Sequence, residues 1–472
     1  MDRYEQFKEY ISVCLEKFKE IDKRETIRLI CHLDADGISA CSIMVKALNT
    51  DNRKYSISIV QQLTNELIDS LSKEPYNCFV FADLGSGKLS EIKKRFIGKQ
   101  VFILDHHKPE RVRLSSNIVH INPHIFGIDG SKEVSGAGIV YLFFRSLNKE
   151  VNNLAHIAII GAIGDLQEGR DGFLKLNKEI LDIAIKKKKI KVIKGLRIFG
   201  AQTRALHKVL EYCTDPYIPG VSGSESGAIQ FLHQIGINPK RGKDWRKLVH
   251  LRDDEIRKLV TGIIMRRLNE EKPEDVLGNV YILNEEEKES PFRDAREFAT
   301  LLNACGRMDK ASLGIGACLG NRKTKERAIR SLNGYRRHII NAIKWYEKNQ
   351  ESEDIIKGNG FVIINAKDNI IASIIGTLAS IISKSNYVEK GTFILSMADM
   401  LNGYYKVSLR MSGKKNDVDL NMLIRKITEK VGGEAGGHKN AAGAVIREEK
   451  VDMFIKEAKN ILGKYSLEEV IS

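Results

Sequence analysis

Covalent and conformational staples are scarce in this chain of 472 residues, which has 7 cysteines, 8 prolines and 2 tryptophans. No two cysteines form a C-x-x-C pair, and the odd count argues against a disulfide framework. Long apolar runs are missing as well. The longest, 370–383, is too short to span a bilayer and is expected as a buried helix. There is no biased tract, and 42% of the residues are hydrophobic, so a folded, soluble chain is expected throughout. The opening stretch MDRYEQFKEY is charged from its second residue. No secretory signal peptide is therefore expected, and the thiols are read as reduced ones of a cytoplasmic protein with no membrane partner.

What is abundant is positive charge. Lys and Arg number 76 against 61 Asp and Glu, a formal charge of +15. Such a field attracts phosphate polyanions and speeds their encounter with the surface. A lysine-rich proteome would give the same balance, so charge alone leaves nucleic acid an open choice. The length exceeds what one core fills, and two or three domains are expected.

The first half alternates strand and helix patterns. Buried-strand candidates are 26–34, 55–60, 78–84 and 101–105, with helical spacing over 37–48, 63–72 and 88–96. That rhythm predicts a parallel sheet covered by helices on both faces, with ligands at the carboxyl ends of its strands. From about Asn152 to Leu268 the pattern reads as helical and more basic, including IKKKKIKVIK at 185–194. A long helix is expected over 324–349. Strands at 361–366, 393–398 and 404–411 then mark a second α/β unit.

Four polar clusters stand at element ends: His32, Asp34 and Asp36 in HLDADG; Asp83 in FADLGSG; Asp105, His106 and His107; and Asp165 in AIIGAIGD. Alternate strand residues point the same way, so His32 and Asp34 share a face, and Gly37 permits a turn into the next helix. Carboxylates this dense repel one another unless cations neutralise them. Mixed Asp and His donors suit Mn²⁺ or a similar divalent ion better than an all-oxygen Mg²⁺ cage. Two such ions can activate water and stabilise both oxygens of an in-line displacement at phosphorus. Two other motifs fail. The stretch Gly85 to Lys88 suggests a phosphate loop, but Ala82 stands where its first glycine belongs and Leu89 replaces Ser/Thr. His106 and His107 lack the H-E-x-x-H spacing of a metalloprotease.

HLDADG, the isolated Asp83, the literal DHH at 105–107 and GAIGD at 161–165 resemble the four motifs of the DHH phosphoesterases, which include RecJ nucleases, oligoribonucleases and manganese pyrophosphatases. The resemblance implies His32, Asp34 and Asp83 on one metal. It implies Asp36, Asp83, His106 and Asp165 on the other, with Asp83 bridging and catalytic. His107 would face the scissile phosphate as electrophile or proton donor. Further on, AGGHKNAAG at 435–443 is read as a glycine-rich loop before a strand, where backbone amides approach a phosphate. It resembles the GGGH-x-x-AAG element of the DHH-associated C-terminal domain, with Ala435 in place of the first glycine. That implies nucleic-acid contacts from Gly436, Gly437, His438 and Arg410. EFATLLNACGR at 297–307 also resembles a RecJ element, with Asn303 and Arg307 as strand contacts.

The resemblance thus implies a parallel-sheet DHH catalytic domain over 1–199. A helical insertion over 200–280, a possible partner-binding segment, follows it. Next come a connector with a long helix over 281–350 and a smaller α/β DHH-associated domain over 351–472. The implied activity is a Mn²⁺- or Mg²⁺-dependent exonuclease, with two ions per site, that releases 5′-mononucleotides from single-stranded DNA or RNA in replication or repair. Polarity stays open. The alternatives are an oligoribonuclease, a phosphodiesterase of cyclic dinucleotides or 3′-phosphoadenosine phosphate, and a replisome scaffold. The last is suggested by archaeal relatives that dock onto the GINS replication complex and by the DHH-related subunit of the replicative helicase.

Overall fold

Apolar strands without polar alternation require cover on both faces, and the fold supplies it. The computed structural model describes residues 2–213, 217–270, 272–385, 387–413 and 418–467. It opens with α1 (Arg3–Lys19), β1 (Thr26–His32), α2 (Ala35–Thr50), β2 (Lys54–Val60) and α3 (Asn65–Ser72). Next come β3 (Cys78–Ala82), α4 (Leu89–Arg95), β4 (Gln100–Leu104) and β5 (Ile118–Ile121). The five strands form a parallel sheet in the order β2-β1-β3-β4-β5. Alternate side chains divide between two cores. Ile30, Phe79, Phe81, Val101 and Ile103 pack with Ile68, Leu71, Ile92 and Phe96 of α3 and α4. Phe102, on the opposite face, meets Phe18 of α1 and Phe143.

Phe143 belongs to α5 (Gly136–Phe144), which is followed by α6 (Ala155–Gly164) and α7 (Lys175–Lys186). The small residues of α2, α5 and α6 let these three helices pack closely against one another. β6 (Ile190–Leu196) begins inside the lysine run that was expected to be helical. α7 ends at Lys186, and Lys188 takes a positive φ of 57° that stops the helix. The chain then alternates as a strand rather than continuing at helical period.

β6 pairs antiparallel with a strand nearly ninety residues on, and the segment between them has its own core. It contains α8 (Leu206–Glu211), α9 (Glu225–Gln234), the hairpin β7 (Lys240–Arg241) and β8 (Asp244–Trp245), and α10 (Asp253–Arg266). Leu206, Val209, Phe231, Leu232, Leu259 and Ile263 are its buried centre. The closing strand is β9 (Leu277–Leu283). After it, α11 (Ala295–Arg307) packs on α2 and α6, and α12 (Ala311–Cys318) packs on α2.

The compact first unit runs to Ser331, and the second starts at Leu332, within α13 (Arg322–Lys348). Residues 281–331, expected as connector, are therefore part of the first unit. The second unit contains β10 (Ile355–Gly358), β11 (Phe361–Asn365), α14 (Ala372–Ser383), β12 (Phe393–Asp399), β13 (Tyr404–Met411) and α15 (Leu420–Val431). It closes with β14 (Glu434–His438), β15 (Ala441–Arg447) and α16 (Val451–Leu467). Its six-stranded mixed sheet has the order β10-β11-β12-β13-β15-β14. The glycine-rich stretch is thus the edge strand β14, not a loop. Gly436 pairs with Gly443 and Gly437 with Ala442, while Gly433 and Gly437 take φ of 130° and 136°, open to glycine alone. All seven cysteines are buried. Among the described residues no helix is long and apolar enough to cross a membrane.

One close approach fixes α11 against the first acidic loop. A Cβ on Gly306 would lie 1.7 Å from the Leu33 carbonyl oxygen, whereas one on Gly334 of α13 would meet nothing within 4 Å. Gly306→Ala is expected to cost about 2–4 kcal/mol in urea denaturation. Gly334→Ala is expected to stabilise by about 0.5–1 kcal/mol. Equal stability of the two variants would refute the seating of α11.

Candidate metal centre

Strand register assembles the centre. Cys31 of β1 pairs with Ala82 of β3, and Ala82 with Leu104 of β4. The next residues, His32, Asp83 and Asp105, therefore leave three neighbouring parallel strands side by side. The chain order reverses between β1 and β3, where an open α/β sheet leaves a crevice.

The helix after β1 starts earlier than its sequence pattern suggests. Asp34 is the N-cap of α2, its Oδ1 accepting from the Gly37 amide at 3.0 Å, which puts Asp36 in the first turn. Oδ2 of Asp34 turns to His32 Nδ1 at 2.9 Å, and that nitrogen lies 3.4 Å from Asp83 Oδ2. Asp36 takes the amides of Gly136 and Ala137, at 2.6 and 3.1 Å, at the N-terminus of α5. Gly136 is needed there, because a Cβ would stand 2.7 Å from Asp83. Asp83 itself has a φ of 61°, a left-handed conformation costly for a residue with a side chain and concentrated at functional sites.

His106 Nδ1 donates to the Gly130 carbonyl at 2.6 Å, which turns Nε2 toward the carboxylates. Nε2 lies 3.2 Å from Asp83, 3.6 Å from Asp165 and 3.9 Å from Asp36. His107 Nδ1 meets Asp105 Oδ1 at 2.7 Å, and its ring is one-third exposed (33%), against 1% for Asp83. Asp105 is held in turn by the amides of Ser86 and His107.

Electrostatics reports the crowding. Burial, then the neighbouring Asp83, pushes the Asp36 carboxyl well above its ordinary range. Burial raises Asp165 as well, with His106 opposing and Asp83 and Asp34 adding to the rise. For His106 the burial that disfavours its charge is outweighed by Asp83, Asp165 and Asp36, and its pKa rises well above the usual imidazole value. Asp34 goes the other way: burial is overcome by His32 and by the Gly37 amide, and its pKa is lowered.

This donor set fits a divalent cation. His32 Nδ1, Asp83 Oδ1 and His106 Nε2 are buried and face one another and Asp34, at 2.9 Å for His32 to Asp34 and 3.2 Å for His106 to Asp83. Donor atoms of His32, Asp34 and Asp83 lie within 4.8 Å of one another, as do those of Asp36, His106 and Asp165, and those of Asp83, Asp105, His106 and His107. All six expected ligands and His107 therefore converge.

The remaining expected contacts stand elsewhere. The Asn303 side-chain oxygen accepts from the Ala35 amide at 3.0 Å, which ties α11 to the start of α2. Arg307 is half-buried at the end of α11. In the second unit Arg410 is braced on β13. Its Nε donates to Ser380 Oγ at 3.0 Å, and its Nη1 donates to the Leu409 and Ala442 carbonyls. Gly436 and Gly437 lie on β14, and the His438 side chain is outside the described residues. Two roles were not assigned from sequence, one of a residue already named in the third cluster and one of a residue not named at all. Asp105 orients His107. Gln167 donates to Asp165 Oδ2 at 2.8 Å and to the Gly130 carbonyl at 2.9 Å, and Asn177 holds its own oxygen. Gln167 lies two residues beyond Asp165, the one sequence cue to it. An open groove between α9 and α10, lined by Phe231, Ile235, Met265 and Arg266, shares no residue with this cluster.

Fold and site together define a doubly wound α/β protein with an aspartate–histidine centre of the kind that holds divalent metal. Residues 26–164 match the DHH family, N-terminal domain, residues 198–280 the DHH-CID domain and residues 359–464 the DHHA1 domain. An uncharacterized protein of Methanocaldococcus jannaschii is 31% identical over 471 residues, covering 95% of this chain and 99% of the relative. The chain belongs to the DHH family and is RecJ-like. A Bacillus subtilis prophage protein, YorK, whose name describes a single-strand DNA-specific exonuclease, is 23% identical across 93% of this chain and 66% of its own length. Among solved structures, RecJ of Thermus thermophilus in complex with Mn²⁺ overlays with a TM-score of 0.58 at 16% identity, over 98% of this chain and 55% of that one. CDC45 of Entamoeba histolytica overlays with a TM-score of 0.65 at 13% identity, over 98% of this chain and 99% of its own. This chain thus spans about two thirds of YorK and about half of that RecJ.

Groups that orient metal ligands through hydrogen bonds commonly contribute 10- to 100-fold in affinity. Gln167→Ala is therefore expected to weaken Mn²⁺ binding to the folded protein by roughly 10- to 100-fold in a calorimetric titration. Unchanged affinity would remove Gln167 from the support of the centre.

Proposed function

We propose that the protein is a metal-dependent exonuclease that hydrolyses phosphodiester bonds of single-stranded DNA or RNA and releases 5′-mononucleotides. The observation that carries this reading is the convergence of four aspartates and three histidines at one sheet crevice, with donor atoms of each of three groups lying within 4.8 Å of one another. His32, Asp34 and Asp83 would hold one Mn²⁺ or Mg²⁺, and Asp36, Asp83, His106 and Asp165 a second, with Asp83 bridging. Bound there, divalent ions supply an activated water and neutralise charge gathering on the phosphate. The chain's own residues do the rest. Asp105 fixes the His107 ring through Nδ1, so Nε2 is the nitrogen left to donate to a phosphate oxygen. Asn303 and Gly306 hold the HLDADG loop in place from α11. Strand contacts are assigned to Arg307 in the first unit and to Gly436, Gly437, His438 and Arg410 in the second. The likeness to a protein named for single-strand DNA-specific exonuclease action supports the substrate class, and the Mn²⁺ complex of RecJ supports the metal.

A second reading, a replisome scaffold associated with GINS or the replicative helicase in the cytoplasm, is favoured by the overlay with CDC45. The full donor set argues that scaffolding is not the only role.

The deciding experiment follows single-stranded DNA and RNA, labelled at either end, with Mn²⁺ or Mg²⁺. Mononucleotide release is expected, with His107→Ala reducing the rate by about 10²-fold or more. Asp83→Ala is expected to abolish it. Near-normal turnover in Asp83→Ala, or no hydrolysis by the intact chain with either metal, would overturn the proposal.

A further inference from the structure

Outside the carboxylate centre, the hairpin of β7 and β8 gathers cations on an exposed tip. Lys240, Arg241, Gly242, Lys243, Asp244 and Trp245 are all exposed. The turn is closed by Gly242 at a φ of 63°. The hairpin is fixed at its base. The Leu206 amide donates to the Arg246 carbonyl at 2.7 Å, the Arg246 amide donates to the Pro239 carbonyl at 2.9 Å, and Ala205 bridges to Lys247.

Charge is sorted along it. At the base, Arg246 makes two bonds to Glu255, at 2.8 and 2.7 Å, and Lys247 pairs with Glu289 at 2.6 Å. At the tip, Lys240, Arg241 and Lys243 have no carboxylate partner among the described residues, and Asp244 is the one acid beside them. The base is structural, then, while the tip pays the self-repulsion of three clustered cations for no internal bond.

Trp245 adds the second observation. Its ring packs at a tilt of 42° on the buried His207 with centroids 3.9 Å apart, and the Lys240 ammonium lies 4.5 Å from its centroid. The imidazole braces the indole, and an exposed lysine lies against it. A large rigid ring held in solvent among unpaired cations is the chemistry that binds a strand of unpaired nucleotides. A base entering over the ring displaces Lys240, whose ammonium then meets a phosphate. At the other end of α8, exposed Tyr212 carries Arg204 at 5.5 Å from its ring, a second pairing of the same kind.

We propose that the β7–β8 hairpin is a second single-strand binding element, with one base stacked on Trp245 and adjoining phosphates on Lys240, Arg241 and Lys243. It rests on the reading of this protein as one that acts on single-stranded nucleic acid. It adds an anchor to that reading, borne by residues that no metal needs.

The test uses the full chain in chelator, so that nothing is cut, and a fluorescent single-stranded oligodeoxythymidylate of roughly 20 nucleotides, long enough to occupy several site sizes. Trp245→Ala is expected to weaken binding at least about fivefold, with Trp245→Phe restoring most of it. Lys243→Glu, at the exposed tip where folding is not at stake, is expected to weaken binding and to lower the salt slope by about 0.7 for the lost phosphate contact. With Mn²⁺, hydrolysis of a small activated phosphodiester should be unchanged in every variant. Wild-type oligonucleotide affinity in Trp245→Ala and Lys243→Glu overturns the hairpin proposal, even where the intact chain proves to be a nuclease. So does loss of binding to polyglutamate alone, which would make the hairpin an acidic-protein contact. Weakened strand binding in a chain that hydrolyses nothing upholds the hairpin and removes the nuclease reading.

Discussion

Four carboxylates cannot share one crevice without something to hold them there, and most of the first unit is arranged around that repulsion. Asp34, Asp36, Asp83 and Asp165 gather around His32 and His106. Burial alone would drive protons onto them, and Asp36 and Asp165 are indeed displaced upward. The fold answers with fixed dipoles. Both oxygens of Asp36 sit on amides at the start of α5, where the helix dipole is positive, and Asp34 takes an amide from the first turn of α2. What the dipoles leave uncompensated is concentrated on the atoms that point inward.

That arrangement dictates the packing around it. Two helix starts must come within hydrogen-bond reach of buried carboxylates, so backbones approach where side chains would not fit. A Cβ at Gly161 would stand 2.4 Å from Asp36 Oδ1, and Gly136 and Gly306 are limited in the same way by Asp83 and Leu33. The GAIGD sequence thus reflects helix spacing as well as the presentation of Asp165. The helix α11, far along the chain, completes the wall by bonding through Asn303 to the start of α2. Residues over two hundred positions apart are therefore one mechanical unit.

The first sheet was legible because β1, β3 and β4 are largely buried and so read as apolar runs. β1, β3 and β4 fall within a few residues of where the runs place them. The acidic clusters were legible for a related reason, since each lies where such a run stops. Features set by tertiary contact were not. α2 begins at Asp34 because its side chain caps the helix, a choice invisible to periodicity. β6 emerged from a lysine run whose strand character depends on pairing with β9, far off in sequence. β14 was hidden because glycines carry no strand signature, and its pairing with β15 alone makes it a strand. Gln167 had no signal beyond proximity to Asp165, and the bond from the Ala35 amide to Asn303 had none.

The overlays with RecJ and CDC45 show a shared fold, and a fold by itself does not decide chemistry. Energetics bears on the site where fold does not. Donor atoms of His32, Asp34, Asp83 and His106 approach one another to 2.9–3.4 Å in one crevice, beside a left-handed Asp83 that adds strain of its own. Carboxylates packed this closely repel one another, and a divalent cation held by these side chains would offset that repulsion.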